Sequence, residues 1–433
     1  MSTPPAEDKS NTPVSYDLVV RFLISYGTKY LACGGPIPRL ERFMERGAQK
    51  YGYSTQVYAT PTVLLMSCAE HNPLSPSTFI TRVEEQKLNF AELKRLDKML
   101  RRFSKGKANL ERAQLLLDKN YYARNSYPIA LQYFASFSIG FFASFAYSGR
   151  IVSALISGLL CFATHSMAQK LRERFGIKGF YFEFLASLGV ILSSALISPL
   201  VGEASIGMAF GSFIYLVPGL KITTSISEIV SESIISGILR LFKALLTLVA
   251  MGLAYVMSFD IAQLLNWTEA VPALQQMNSP FHFFLQETCH LATLLGFTIY
   301  FQVPRKFLPH TLLTGFLGSL IFHIFLQHNV IILPAFLSAF GMGLLSLTFG
   351  HFYKIPSQIF STPSILILVP GMLAFSTFES VLSPDPSQRG SIVFQTLLTA
   401  TAIVFGLITA RIPFLRIRKT AIEPRAIFDD FNV

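Results

Sequence analysis

Residues 214–228 read IYLVPGLKITTSISE: a Pro-Gly pair, a lysine, a run of hydroxyls and a glutamate among apolar segments long enough to cross a bilayer. Proline lacks an N–H and clashes with the turn before it, and glycine takes backbone angles that other residues avoid. Pro218-Gly219 should therefore break a helix near the membrane midplane. Backbone groups freed inside lipid must be buried in protein or face a polar cavity. The same four residues, LVPG, return in ILVPGMLAFSTFES at 367–380.

The composition fixes the solvent around this stretch. Of 433 residues, 51% are hydrophobic and 14% charged. A soluble globular chain carries about 25% charged residues, so lipid must be part of the solvent here. The four cysteines, Cys33, Cys68, Cys161 and Cys289, are scattered, which argues against a disulfide framework and shows no metal-ligand spacing. The start, MSTPPAEDKSNTP, is polar and Pro-rich and does not read as a cleavable signal peptide. The +11 net charge would point to nucleic acid on one soluble domain. Much of it instead lies in short loops between apolar segments, so no nucleic-acid partner is expected.

Residues 1–128 read as a small α/β domain. DLVVRFLISYGTKYLACGG and IPRLERFMERGAQKYGY have helical spacing, the first stopped by Gly34 and Gly35. STQVYATPTVLLMSC reads as one or two strands, and LNFAELKRLDKMLRRFSKGKANLERAQLLLDKN as a helical pair broken at Ser104 to Lys107.

After Pro128 come ten apolar segments, near 129–147, 150–169, 180–201, 205–222, 235–257, 281–301, 307–326, 330–350, 361–381 and 391–410. Each is close to the roughly 20 residues that a spanning helix needs. With the N-terminal domain inside, the loops after even-numbered segments carry Lys170, Arg172, Arg174, Lys178, Lys221, Arg305, Lys306 and Lys354, and a tail at 411–433 carries Arg416, Arg418, Lys419 and Arg425. The opposite loops hold only Arg150 and Arg389, beside Glu203, Asp260, Glu269 and Asp385. This positive-inside asymmetry supports ten spans with both termini cytoplasmic.

Pro218 and Pro370 stand 152 residues apart, and that shift lays the first five segments on the last five. Five is odd, so the second copy must enter the membrane from the other side. The fold expected is an α-helical polytopic membrane protein built from two inverted five-helix repeats, 129–257 and 281–410, with an interrupted fourth helix in each. Many secondary transporters share that architecture. The plainer alternative is a loose likeness of two halves, Pro-Gly being common in such helices.

A half-helix starting after Gly219 would point N–H groups and a partial positive charge into the cavity. Its first residues include Lys221, Thr223, Thr224 and Ser225; after Pro370-Gly371 the matching hydroxyls are Ser376, Thr377 and Ser380. Together these would suit a small carboxylate. Glu228 and Glu379 follow the two breaks and are candidates for proton coupling or for binding a substrate amine, unless both sit solvated at the interface. Glu183, Glu287, His290 and His323 are further polar residues in apolar segments; Glu287 and His290, three apart, share a helix face and could relay protons. A lone histidine there more often bonds a backbone carbonyl. No Walker, Rossmann, serine-hydrolase or zinc pattern is present, so neither an enzyme nor a bound cofactor or metal is expected.

RLERFMERGAQKYGY, VYATPTVLLMS, LNFAELKRLDKMLRRFSKGKANLERAQLLLDK, LVPGLKITTSISEIVSESIISGILRLFKALL and STPSILILVPG, in this order, resemble the bacterial threonine/serine exporter family across residues 17–415. The last resembles its smaller C-terminal module, which some bacteria encode separately. The resemblance implies a single-chain, ten-helix exporter of the bacterial inner membrane, using an ion gradient to move threonine- or serine-type amino acids. Split two-subunit relatives are linked to succinate, which makes a dicarboxylate the alternative substrate. Expected partners are the small-molecule substrate, protons or another coupling ion, and lipid, with a homo-oligomer left open. A scaffold or sensor acting through the N-terminal domain is the competing class.

Overall fold

The computed structural model describes residues 14–69, 76–83, 88–121, 125–176, 179–202, 205–216, 218–230, 234–264, 280–326, 330–368 and 386–413. The chain divides into two compact units, one ending at Asn125 and one starting at Ser126.

The first unit opens with α1 (Tyr16–Ala32) and α2 (Ile37–Lys50). The chain reverses between them at Gly34, whose φ of 85° suits a residue without a Cβ. An antiparallel sheet follows in the order β1 (Ser54–Ala59), β2 (Val63–Ala69), β3 (Ser77–Arg82). The third strand, STFITR, goes beyond the one or two strands expected from sequence. Helices α3 (Phe90–Phe103) and α4 (Leu110–Asp118) close the unit, each started by an asparagine whose side chain accepts from a first-turn amide. Phe22, Tyr26, Tyr30, Leu40, Met44, Leu64 and Phe103 are fully buried and form its core. Within it Arg39 Nη2 lies 2.7 Å from Asp97 Oδ1, and Arg101 Nε approaches Asp97 Oδ2 at 3.0 Å, so the buried carboxylate is paired twice. On α2, Glu41 accepts from the Ala59 amide and Glu45 from the Val57 amide, capping the outer edge of β1.

The second unit is helical: α5 (Ile129–Ser148), α6 (Ile151–Phe175), α7 (Phe180–Val201), α8 (Ser205–Leu216), α9 (Gly219–Val230), α10 (Ile234–Leu264), α11 (Pro280–Tyr300), α12 (Leu308–Leu326), α13 (Ile332–Tyr353), α14 (Gln358–Leu368) and α15 (Pro386–Thr409). Among the described residues, six of these stretches are long and apolar enough to cross a membrane: α5, α6, α7, α10, 305–325 and α13. This is an α-helical membrane protein. The boundaries expected from hydropathy differ from those of α5, α7, α11 and α12 by at most one residue.

Side chains without bulk set the closest crossings. Gly140 of α5, Ser157 of α6 and Gly211 of α8 meet so tightly that a Cβ on Gly211 would lie 2.1 Å from the Gly140 carbonyl oxygen. Small residues let helix backbones approach in this way where apolar burial gives no drive between helices. In both halves the same neighbours pack: α5 on α6 and α8, α7 on α8 and α10; then α11 on α12 and α14, α13 on α14 and α15. The two halves meet where α5 packs along α11 and where α9 touches α15.

Candidate functional site

The fourth apolar segment is two helices. α8 ends at Leu216, Pro218 lies in a turn, and α9 begins at Gly219. Proline supplies no amide, and its carbonyl accepts from Ile222 N at 3.0 Å, starting the new helix. Pro218 and Gly219 are buried. Leu216 packs with Ala186, Val190 and Met251 on α7 and α10, while Ile222 packs with Ala244 and with Ala400, near the middle of α15. The break thus shares a buried cluster with α7 and α10, and the new helix meets the second half of the chain. Residues 369–385, with Pro370, Gly371, Ser376, Thr377 and Glu379, lie outside the described residues, although α14 ends at Leu368, just before the second LVPG completes.

The hydroxyls after the first break donate back into their own helix. Thr223 Oγ1 reaches Gly219 O and Leu220 O, Thr224 Oγ1 reaches Leu220 O at 2.7 Å, and Ser225 Oγ reaches Ile222 O at 2.7 Å. A hydroxyl that donates to the preceding turn keeps its lone pairs as acceptors. What it offers a ligand is therefore an acceptor, a better match to an ammonium or hydroxyl than to a carboxylate.

Both charges on α9 are paired. Lys221 Nζ donates to Glu183 Oε1 at 2.8 Å on the first turn of α7, and Thr247 Oγ1 of α10 donates to the other oxygen of Glu183 at 2.7 Å. Glu228 Oε1 lies 2.9 Å from Arg240 Nη2 on α10. The sequence marks Glu183 as polar but gives no sign of its partner 38 residues on, and Arg240 and Thr247 carry no pattern at all.

A second polar group lies between α11 and α12. Glu287 is 5% exposed, and its Oε1 is 2.7 Å from His323 Nδ1. His323 and His290 stack, with ring centroids 5.0 Å apart and 25° between planes. Ser319 Oγ lies 3.4 Å from His290 Nδ1 and 3.5 Å from His323 Nδ1. Glu287 and His290 share one face of α11 as their spacing implies, and His323 joins them from the next helix. His323 Nδ1 also faces the Ser319 carbonyl at 3.0 Å, and neither Glu287 oxygen has an aligned hydrogen bond among the described residues. Two bare acceptors would repel at 2.7 Å, so one of the pair must carry a proton. Ligand atoms of all three side chains lie within 4.8 Å of one another. A proton could pass among them, and the same donors are of the kind that could hold a divalent transition metal.

A helix interrupted at Pro-Gly, ion pairs in an apolar bundle and a buried carboxylate beside two imidazoles describe a membrane transporter. The threonine/serine exporter family model matches residues 21–262, and the model described as "Threonine/Serine exporter, ThrE" matches 288–412. The chain belongs to the threonine/serine exporter family. Its two modules are thus present in one chain, and the exporter as a whole is a multi-pass transmembrane transporter. No curated protein and no solved structure matches it.

Proposed function

We propose that this exporter carries threonine- or serine-type amino acids by alternating access, with substrate at the first Pro-Gly break and its counterpart at 370–371, driven by proton flux. The observation that carries this reading is the break between α8 and α9, whose new helix packs through Ile222 on Ala400 of the second half. Motion of one half against the other would rearrange that contact. In this reading Pro218, Gly219, Lys221, Thr223, Thr224 and Ser225 line the substrate site, and Pro370, Gly371, Ser376 and Thr377 are their counterparts in the second repeat. Lys221 beside Glu183 offers one charge of each sign, complementary to the two ends of an amino-acid zwitterion, and the hydroxyl lone pairs of α9 accept from its ammonium.

In this reading the chain has ten spans in two inverted repeats, 129–257 and 281–410. The domain at 1–128, both termini and the 411–433 tail lie on the cytoplasmic side of the bacterial inner membrane. The shared packing pattern of the two halves and the Lys/Arg asymmetry of the loops support it. Protons enter and leave through Glu287, His290 and His323, while Glu228, held by Arg240, and Glu379 are the remaining carboxylates near the breaks. The test is uptake of radiolabelled serine, threonine and succinate into inverted vesicles. Uptake of serine or threonine that rises with an imposed pH gradient is expected. Uptake of succinate alone would reassign the substrate to dicarboxylates, and uptake indifferent to the gradient would remove the proton coupling.

A further inference from the structure

Arg411 follows the end of α15, and its side chain is partly buried. Its Nε and Nη2 are both buried, and neither has a hydrogen-bond partner among the described residues. The bland account of an arginine at a helix end is that it caps the last free carbonyls. Among the described residues no carbonyl accepts from these two nitrogens and no ion pair involves Arg411. Nε and Nη2 are the two donors on one edge of the guanidinium, the edge that grips two oxygens of one anion side by side. A buried, unanswered fork of this kind is costly unless an outside ligand completes it.

Its surroundings indicate where that ligand comes from. Phe394, Leu397 and Phe405 are exposed and recur at helical spacing along one face of α15, and Ile412 just beyond it is exposed too, so in the ten-span reading this face meets lipid. Ala410 is fully buried against Gly343 of α13. Arg411 falls on the flank between these two faces, just past the end of α15, and in the ten-span reading proposed above, on which this inference rests, that is where a headgroup can reach a side chain that acyl chains cannot. Arg416, Arg418 and Lys419 follow within eight residues in sequence, a basic run of the type drawn to anionic lipid surfaces.

We propose that Arg411 is a binding site for the phosphodiester of an anionic phospholipid, held side-on by Nε–H and Nη2–H where α15 ends beside α13. The full-length protein, purified in detergent and stripped of lipid, tests this by native mass spectrometry and thermal melting. The additions are phosphatidylglycerol, diacylglycerol of the same chain length, inorganic phosphate, or serine. Phosphatidylglycerol should be retained and should raise the melting temperature of the wild type, and diacylglycerol should do neither. Arg411→Gln should lose the effect. Arg411→Lys, which keeps the charge but not the fork, should keep only part of it, and this variant carries the test if the glutamine variant does not fold. Equal retention of phosphatidylglycerol by the wild type and both variants would overturn the site. A matching shift from inorganic phosphate or from serine, lost in Arg411→Gln, would overturn the lipid assignment in favour of a free anion or of substrate.

Discussion

His323 Nδ1 stands 2.7 Å from Glu287 Oε1, tying α12 to α11 through two residues 36 positions apart in a largely apolar pair of helices. Neither group reaches solvent freely, and His290 stacks on the imidazole from the Glu287 side of α11. A carboxylate placed so deep is stabilised only while a proton or cation is shared with its neighbour.

That dependence makes Glu287 the residue to remove first. Glu287→Gln keeps the shape and discards the titratable oxygen. Uptake of serine or threonine driven by a pH gradient should fall to background in proteoliposomes, while exchange of labelled for unlabelled substrate at equal pH continues. His323→Gln should reproduce the loss. Gradient-driven uptake at the wild-type rate in both variants would sink the coupling role.

The break in the fourth segment was legible because Pro-Gly in a hydrophobic run has one local consequence, and α8 and α9 part there. Helix limits were legible for a similar reason: the length that lipid demands is printed in the hydropathy, so 180–201 reappears unchanged as α7. Partnership was not. Glu183 and His323 stand out as lone polar residues, yet Lys221 and Glu287 reach them only through the packing of neighbouring helices. Thr247, Ser319, Arg240 and Arg411 carry no local signal, since a hydroxyl or a basic residue near a helix end is ordinary. Strand β3 was missed for want of apolar alternation: four of its six residues are exposed.

Lys221 and Glu183 give the second prediction. The Lys221 side chain is 46% exposed and that of Glu183 13%, so solvent screens the pair from one side only. Lys221→Ala leaves Glu183 with Thr247 as its remaining donor and should cost about 1 kcal/mol, the discounted worth of a half-screened pair. The double exchange Lys221→Glu with Glu183→Lys should recover much of that stability but not transport, because the two charges would then meet the substrate in reversed order. Melting in detergent and vesicle uptake read the two halves separately. Restored uptake in the exchanged protein would show that the pair acts on stability alone.

Glycine spacing supplies a third. A methyl at Gly211 would meet the Gly140 carbonyl oxygen at 2.1 Å and Ser157 Oγ at 2.5 Å, and backbone cannot swing aside as a side chain can. Gly211→Ala should therefore cost about 1–3 kcal/mol by overpacking. Gly189, inside α7, would meet nothing within 4 Å, so Gly189→Ala should hold or gain stability by up to about 1 kcal/mol from helix propensity. Opposite signs in one melting series are the expected result. Equal effects would mean that the crossing of α5, α6 and α8 is looser than drawn.

The last prediction concerns the soluble unit. Burial pushes the Glu41 carboxyl up to about 7, and the nearby Glu45 charge adds to the rise, against the pull of the Ala59 amide that Glu41 accepts. An unfolded glutamate releases its proton near pH 4.5, so between about 4.5 and 7 the folded unit holds a proton that the unfolded chain has lost. The stability linked to that proton is complete below pH 4.5 and gone above 7. The clasp of α2 on β1 should accordingly loosen as pH rises through neutrality. Hydrogen exchange at the Val57 and Ala59 amides, corrected for intrinsic rate, should show less protection at pH 8 than at pH 5.5 in the full-length protein. Glu41→Gln is neutral at every pH and its carbonyl can still accept from Ala59, so its protection should stay level across that range. A wild type as level as the variant would mean that Glu41 titrates below this window and that burial does not govern it.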